Sequence, residues 1–274
     1  MISRVRSATS QSVLNRAFGV LGAFGPDRPE LTLDELCAHT GQARTTVHRL
    51  ASQLVAEGAL ERSRRGWKLG TRMFELGQLV SREQRLREQS LAYMQDLYAA
   101  TGEMVQLAVL DAGTVLYVEI IAGHRRVASP SRRGGRMPLH CTALGKALLA
   151  FSADAGRGVL QARPTLDART PNTITDIGAL RQELHRVRAA QVAFDHEEAA
   201  LGLQCVAAPI LDANGIARAA LSVSMPVAGR LTLSEATPAV RAVARAFSRD
   251  DRYSTGTTQL GDPRRHALSA EPRG

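Results

Sequence analysis

No stretch of this chain approaches the ~18 consecutive apolar residues that a membrane-spanning helix needs. The segment Met1-Ile2-Ser3-Arg4-Val5-Arg6 is basic, but no apolar run follows it, so no secretory signal is expected. Cysteine is scarce. Cys37, Cys141 and Cys205 stand far apart and are odd in number, which argues against a disulfide framework and a CxxC metal knuckle. A reducing cytoplasm is the expected compartment, with no membrane partner. Lysine is nearly missing: only Lys68 and Lys146 interrupt an otherwise arginine-based cationic set. Internal repeats are also absent. What remains is a globular chain of 274 residues, enough for one large or two ordinary domains.

The hydrophobic fraction of 44% fits a packed core, and the formal net charge of +9 favours a polyanionic partner. Part of that arginine excess, like the abundant alanine, is what a GC-rich genome produces. Along the chain, residues 1–10 are polar and expected to be disordered. Helical spacing runs from Gln11 to Phe24 and ends at Gly25 and Pro26. Thr32-Leu33-Asp34-Glu35 reads as a capping box opening a short helix that stops at Gly41. A third helix runs from about Ala43 to Glu57, with Val47, Leu50, Leu54 and Val55 inward and Gly58 at its end. Ala59–Leu69 then reads as two short strands around the basic turn Arg64-Arg65-Gly66. From Thr71 to Ala100 the pattern is helical, ~45 Å if unbroken, with a solvated break expected in the charged stretch Arg82–Glu88.

Past Gly102 the period changes. Met104–Leu110 and Thr114–Ile121 read as a hairpin across Asp111-Ala112-Gly113. Helices are expected at Cys141–Phe151, Ala179–Ala190 and Ser234–Ser248. Strands are expected at Val192–Asp195, Leu203–Pro209 and Ala217–Met225, the last two joined through Asp212-Ala213-Asn214-Gly215. This is an α+β domain appended to a helical one. The expected division is 11–70 for a DNA-binding domain (helix-turn-helix about 33–52), 71–100 for linker helices, 101–250 for a second domain, and 251–274 for a disordered tail.

Helix, short helix, Gly41 turn, helix and basic hairpin together make the plan of a winged helix-turn-helix. The helix after Ala43 presents Arg44, Thr45, Thr46, His48 and Arg49 near its start, where they can donate to phosphates or base edges in the major groove. Arg62, Arg64 and Arg65 of the hairpin can reach the backbone or minor groove. A plain three-helix bundle with solvated arginines accounts for the helices, but not for a polar helix start joined to a basic hairpin.

Here the chain resembles a known family. The residues are Leu31–Gly41, Arg44-Thr45-Thr46-Val47-His48-Arg49-Leu50, Leu54–Gly58 and Trp67–Gly70, followed in order by Gly135–Ala150, Ala193–Glu198, Gly202–Pro209 and Ser222–Pro226. Over about 11–248 the sequence is similar to the IclR family of transcription regulators. It departs at Gln42-Ala43, where members often carry an apolar residue and Pro or Ser. The resemblance implies an N-terminal winged helix-turn-helix plus a C-terminal GAF-like effector-binding domain. It implies contacts to a small organic acid from the backbone at Ala143 and Leu144 and from Asp195, Cys205, Ser222 and Ser224. It also implies a homodimer or dimer of dimers, with repression the commoner mode.

The residues make the effector site plausible in their own right. Thr142 is a good N-cap, leaving the Ala143 and Leu144 N–H groups at a positive helix end. Ser222 and Ser224 lie two apart on an apparent strand and face the same way. Serines that pair with backbone and line nothing are the bland alternative. Three sharper readings fail. Gly145-Lys146 lacks the first glycine of a phosphate loop, His140 standing in its place. His140-Cys141 diverge in extended chain without an orienting acid. His140, Cys205 and Asp195-His196-Glu197-Glu198 have no metal-ligand spacing, and Glu197 and Glu198 read as caps or surface charges. The expected function is a DNA-binding regulator of a double-stranded operator, answering to a small carboxylate-bearing effector and needing no cofactor. The alternatives are a regulator whose second domain only oligomerises, an enzyme using a Cys205/Asp195 cleft, and a redox sensor at Cys205.

Overall fold

A computed structural model describes residues 12–124, 129–152 and 166–250. The expected disorder of residues 1–10 and 251–274 falls outside them. The chain divides between Gln84 and Arg85 into two compact units.

The first unit begins with α1 (Val13–Leu21), capped by Ser12, whose Oγ accepts from the Asn15 N–H at 3.2 Å. The helix ends at Gly22, before Phe24. Ala23 and Phe24 nonetheless stay buried, because the turn that follows folds them back onto the core. The capping box forms as expected at the head of α2 (Leu33–Thr40). Thr32 Oγ1 accepts from the Glu35 N–H at 3.2 Å, and the Glu35 carboxylate accepts from the Thr32 N–H at 2.7 Å. Gly41 ends α2 in the left-handed region at φ 65°. Helix α3 (Arg44–Ala56) buries Val47, Leu50 and Ala51 against Val20, Leu36, Leu60 and Trp67.

The hairpin of β2 (Leu60–Arg62) and β3 (Trp67–Leu69) gains a partner that the sequence pattern does not reveal. The two-residue strand β1 (Glu30–Leu31) pairs with β3, giving the order β1-β3-β2. Gly66 permits this: a Cβ there would stand 2.3 Å from the Leu31 carbonyl oxygen.

The linker is two helices, as expected, but the break falls earlier: α4 (Thr71–Gln78) and α5 (Ser81–Thr101) part at Leu79-Val80. The charged stretch placed at the break is helical. Its reason is tertiary: Leu86 is buried, and Arg87 pairs with the buried carboxylate of Glu119.

The second unit is a six-stranded antiparallel sheet between two layers of helix. Its strands are β4 (Met104–Asp111), β5 (Thr114–Ile121), β6 (Arg136–Met137), β7 (Ala193–His196), β8 (Leu203–Leu211) and β9 (Ala217–Pro226), in the order β6-β5-β4-β9-β8-β7. One face packs on α6 (Ala143–Phe151) and α7 (Ile177–Ala190). The other packs on α5 and α8 (Leu233–Ser248). On β9 the alternation is plain: Ala219, Leu221, Val223 and Met225 enter the α5/α8 core, while Ala220 packs toward α6. Strand β6 is too short to show a period and is absent from the sequence reading. It forms because the Gly134 N–H donates to the Tyr117 carbonyl and the Tyr117 N–H donates to that of Gly135.

Helix α3 begins without a side-chain cap, since Ala43 occupies the N-cap position in extended geometry and is exposed. Ala43→Ser is expected to raise the stability of the first unit by about 1 kcal/mol, and Thr32→Ala to lower it by a similar amount. Urea unfolding of both variants against the parent checks the pair. No gain from the serine would mean that α3 draws its stability from packing alone.

Candidate functional site

The polar face of α3 is set by its three inward residues. With Val47, Leu50 and Ala51 buried, Arg44, Thr45, His48 and Arg49 face solvent, and Thr46 is half-buried. No acidic residue stands in the first turn to neutralise the positive end.

Of the eight positions singled out from the sequence, the five arginines and His48 divide into two sets. Arg44 pairs with Asp34 of α2, Arg65 lies 3.4 Å from the Glu35 carboxylate, and the Arg62 guanidinium stacks 4.3 Å over the Trp67 ring. His48 meets the same Trp67 edge-on at 6.2 Å. Arg49 and Arg64 have no ion pair among the described residues. A face of this kind offers some cations to a polyanion and spends others on holding the wing to the helices. Gln42, the departure from the family pattern, ties α3 to α1 by donating from Nε2 to the Arg16 carbonyl at 3.2 Å.

In the second unit a narrow cleft lies between the α6 face of the sheet and the start of α6; its free space is about 20 Å³, room for little more than a water molecule, so a larger ligand must widen it. The register assembles it. Ser222 lies between Gln106 and Ala207, Ser224 lies between Met104 and Cys205, and Cys205 pairs on its far side with Asp195. All six residues named for the effector site, Ala143, Leu144, Asp195, Cys205, Ser222 and Ser224, line this cavity.

Thr142 caps α6, its Oγ1 accepting from the Gly145 N–H at 3.0 Å. The Ala143 and Leu144 N–H groups lie in the first turn of α6, where a helix supplies no acceptor of its own. A Cβ on Gly145 would stand 2.2 Å from the Leu139 carbonyl oxygen, so only glycine lets the helix start sit this close to the incoming chain.

Gln106, Tyr117 and Ser131 also line the cavity and escaped the sequence reading. A lone amide in the apolar run Val105-Gln106-Leu107-Ala108 was the available signal for the first. Lys146, set aside with the phosphate loop, is fully buried. Its Nζ donates to Glu198 Oε1 at 2.6 Å and lies 3.7 Å from Glu183. This overturns the surface reading of Glu198, which a buried cation draws inward. Glu197 does act as a turn cap, accepting from the Gly202 N–H at 2.7 Å.

The electrostatics disfavour covalent chemistry. Burial, reinforced by Asp195, pushes the Cys205 thiol well above its ordinary pKa, so it is not a thiolate at neutral pH. Burial likewise raises Cys141, to about 12, and lowers His140. Asp195 is raised to about 6, chiefly by burial and against the N–H groups of Glu198 and Ala199, which donate to its Oδ1.

A family model described as the IclR helix-turn-helix domain matches residues 13–64, and one described as the bacterial transcriptional regulator IclR C-terminal matches residues 78–250. The chain is 33% identical to the HTH-type transcriptional regulator BhcR of Paracoccus denitrificans over 78% of its own length and 77% of that protein's. It is 29% identical to the transcriptional repressor IclR of Escherichia coli over 78% and 80%. Among solved structures, an IclR homolog from Microbacterium hydrocarbonoxydans complexed with 4-hydroxybenzoate superposes with a TM-score of 0.79 at 31% identity, covering 89% of this chain and 100% of that one.

Asp195 carries a pH dependence whose sign is fixed. Its folded pKa of about 6 lies above the ordinary aspartate value of 3.8, so its contribution is most favourable below about 4 and is lost as pH rises through 6. Asp195→Asn keeps an oxygen for both N–H groups and removes the titration. It is expected to be more stable than the parent by about 3 kcal/mol at pH 7.5 and by only about 1 kcal/mol at pH 4.5. Denaturation at the two pH values measures this, and equal differences at both would exclude Asp195 as the titrating group.

Proposed function

The chain belongs to the IclR family of bacterial transcriptional regulators, and from that footing we propose that it is a cytoplasmic repressor, binding a roughly palindromic operator as a homodimer or dimer of dimers and answering to a small carboxylic acid held in the second unit. The observation that carries the ligand class is the convergence of donors on one cavity. The Ala143 and Leu144 N–H groups stand at a positive helix end, and the hydroxyls of Ser222 and Ser224 come from the facing strand. Asp195 accepts from a hydroxyl on the ligand, and Cys205 supplies wall rather than chemistry. The Microbacterium relative, whose ligand carries a carboxylate and a hydroxyl, supports the ligand class. Catalysis has no part in this reading.

On the DNA side, Thr45, His48 and Arg49 are assigned to base edges and phosphates in the major groove, with Thr46 beside them. Arg62, Arg64 and Arg65 are assigned to the flanking backbone. Arg44 contributes less, because binding DNA must first part it from Asp34. The homodimer rests on apolar faces that the first unit leaves open. Leu14 and Phe18 on α1 are 70% and 67% exposed, and Phe74 and Leu79 on or beside α4 are 70% and 77% exposed.

On duplexes selected by the parent protein from a random pool, Arg49→Ala is expected to cost about 1–3 kcal/mol, and Arg44→Ala less. Equal affinity of Arg49→Ala and parent would remove Arg49 from the interface. Sedimentation at micromolar concentration is expected to give a dimer or tetramer, with Leu79→Asp shifting it toward monomer. A monomeric parent would overturn the assembly.

For the pocket, calorimetry with 4-hydroxybenzoate and its neutral amide is the test. The acid is expected to bind at least about tenfold tighter, and Ser222→Ala to cost about 1–3 kcal/mol of its affinity. An amide that binds as well as the acid would refute the anion site.

A further inference from the structure

Gln106 sits on β4, is almost wholly buried, and faces the cavity from the strand beside Ser222. Its carboxamide is the hub of the pocket's polar groups. Ser222 Oγ donates to Gln106 Oε1 at 3.1 Å, and Ser224 Oγ donates to the same oxygen at 2.9 Å. Gln106 Nε2 donates to Ser131 Oγ and lies 3.3 Å from Met104 Sδ. Ser131 in turn shares a hydroxyl contact with Ser129, and both line the cavity.

Hydrogen counting makes this arrangement consequential. A serine hydroxyl has one hydrogen to give. Ser224 has a second acceptor, Cys205 Sγ at 3.0 Å, but Ser222 has none other than Gln106 among the described residues. A ligand carboxylate that takes the Ser222 hydrogen therefore takes it from Gln106, and the Ser224 hydrogen comes from Gln106 or from Cys205 Sγ. The amide oxygen and a carboxylate oxygen are both planar acceptors of similar size, so each can occupy the same position between the serines.

We propose that Gln106 is the specificity-determining residue of this pocket: its carboxamide competes with the ligand's carboxylate for the Ser222 and Ser224 hydrogens, and on losing them it releases Ser131. The proposal rests on the carboxylate reading of the cavity. It sets an affinity threshold, since an acid binds only when its gains exceed the loss of the buried hydrogen bonds that the serines make to Gln106. It also gives occupancy a way out of the pocket. The segment from Ser131 runs on to Arg133, which shares the buried carboxylate of Glu119 with Arg87 of α5.

Two measurements on the full chain test this separately. Without any ligand, amide exchange in residues 129–135 is expected to quicken by about tenfold in Gln106→Ala, because Ser131 has lost its brace. Unchanged exchange would overturn the link to Ser131. Benzoate and 4-hydroxybenzoate are then titrated into the parent, Gln106→Ala and Gln106→Glu. The alanine variant is expected to bind about 5–30-fold tighter, since two serine donors are left for the ligand alone. The glutamate variant, which places a charged acceptor between the serines, is expected to bind about tenfold or more weakly. It also keeps the test alive if the alanine variant folds poorly. If the parent binds the acids and Gln106→Ala binds them no better, Gln106 is not a competitor and the carboxylate reading stands. If no acid binds any of the three proteins, the carboxylate reading fails and the competition falls with it.

Discussion

The register of β9 between β4 and β8 is the constraint on which the second unit depends. The strand is buried on both faces, so its alternation separates two different environments. Leu221, Val223 and Met225 fill the α5/α8 core, while Ser222 and Ser224 meet Gln106 and the start of α6. A slip of one residue would push two hydroxyls into hydrocarbon and put Leu221 and Val223 against Thr142. The apolar side of the strand thus enforces the position of its polar side. The pocket is held by the packing of a core that no ligand touches.

Polar groups in and behind this pocket are mostly paired within the fold, and Glu198 Oε2 is a buried exception. Asp195 is held by two backbone N–H groups, Lys146 by Glu198 and Glu183, and the serines by Gln106. Buried networks of this sort are costly when one member is missing. Cys205, set among apolar wall and beside an acid, remains a thiol, which places it with the structural cysteines. Glu119 shows the opposite balance. Burial alone would raise its pKa, but hydrogen bonds from Arg87, the Ile120 N–H and Arg133 outweigh it and hold the carboxyl below its ordinary range. It is a fixed anion at neutral pH, joining α5 to the segment after Ser131.

The first unit divides its cations by geometry. The β1-β3-β2 sheet is too short to hold the wing by pairing alone, and Arg62 on Trp67 and Arg65 near Glu35 add to it. The Arg65–Glu35 pair is exposed and worth little alone, but each contact aims an arginine. Arg49 and Arg64 have no ion pair among the described residues. Trp67 is therefore a double packing element: its ring closes the core beneath α3 and carries a guanidinium above.

The sequence by itself determined the helices with strong caps, the strands with clean alternation and the family. Thr32-Leu33-Asp34-Glu35, the 3.6-residue stripe of α3 and the two-residue rhythm of β9 are local signals, and local signals survive in one dimension. It also named the six pocket residues, partly through the helix start at Thr142 and the paired serines, partly through resemblance. What only the tertiary structure decided came from residues whose state depends on a distant partner. Glu198 looked like a surface charge until Lys146, fifty-two positions away, drew it inside. Arg82–Glu88 looked like a solvated break until Glu119 and the sheet gave Arg87 and Leu86 a place to pack. Strands β1 and β6, two residues each, have no period to read and exist because a glycine lets a neighbour approach or turn back onto the edge. Gln106 was one amide among apolar residues. Its part at the centre of the pocket follows from the pairing of β4 with β9, a contact across more than a hundred residues that no window of sequence contains.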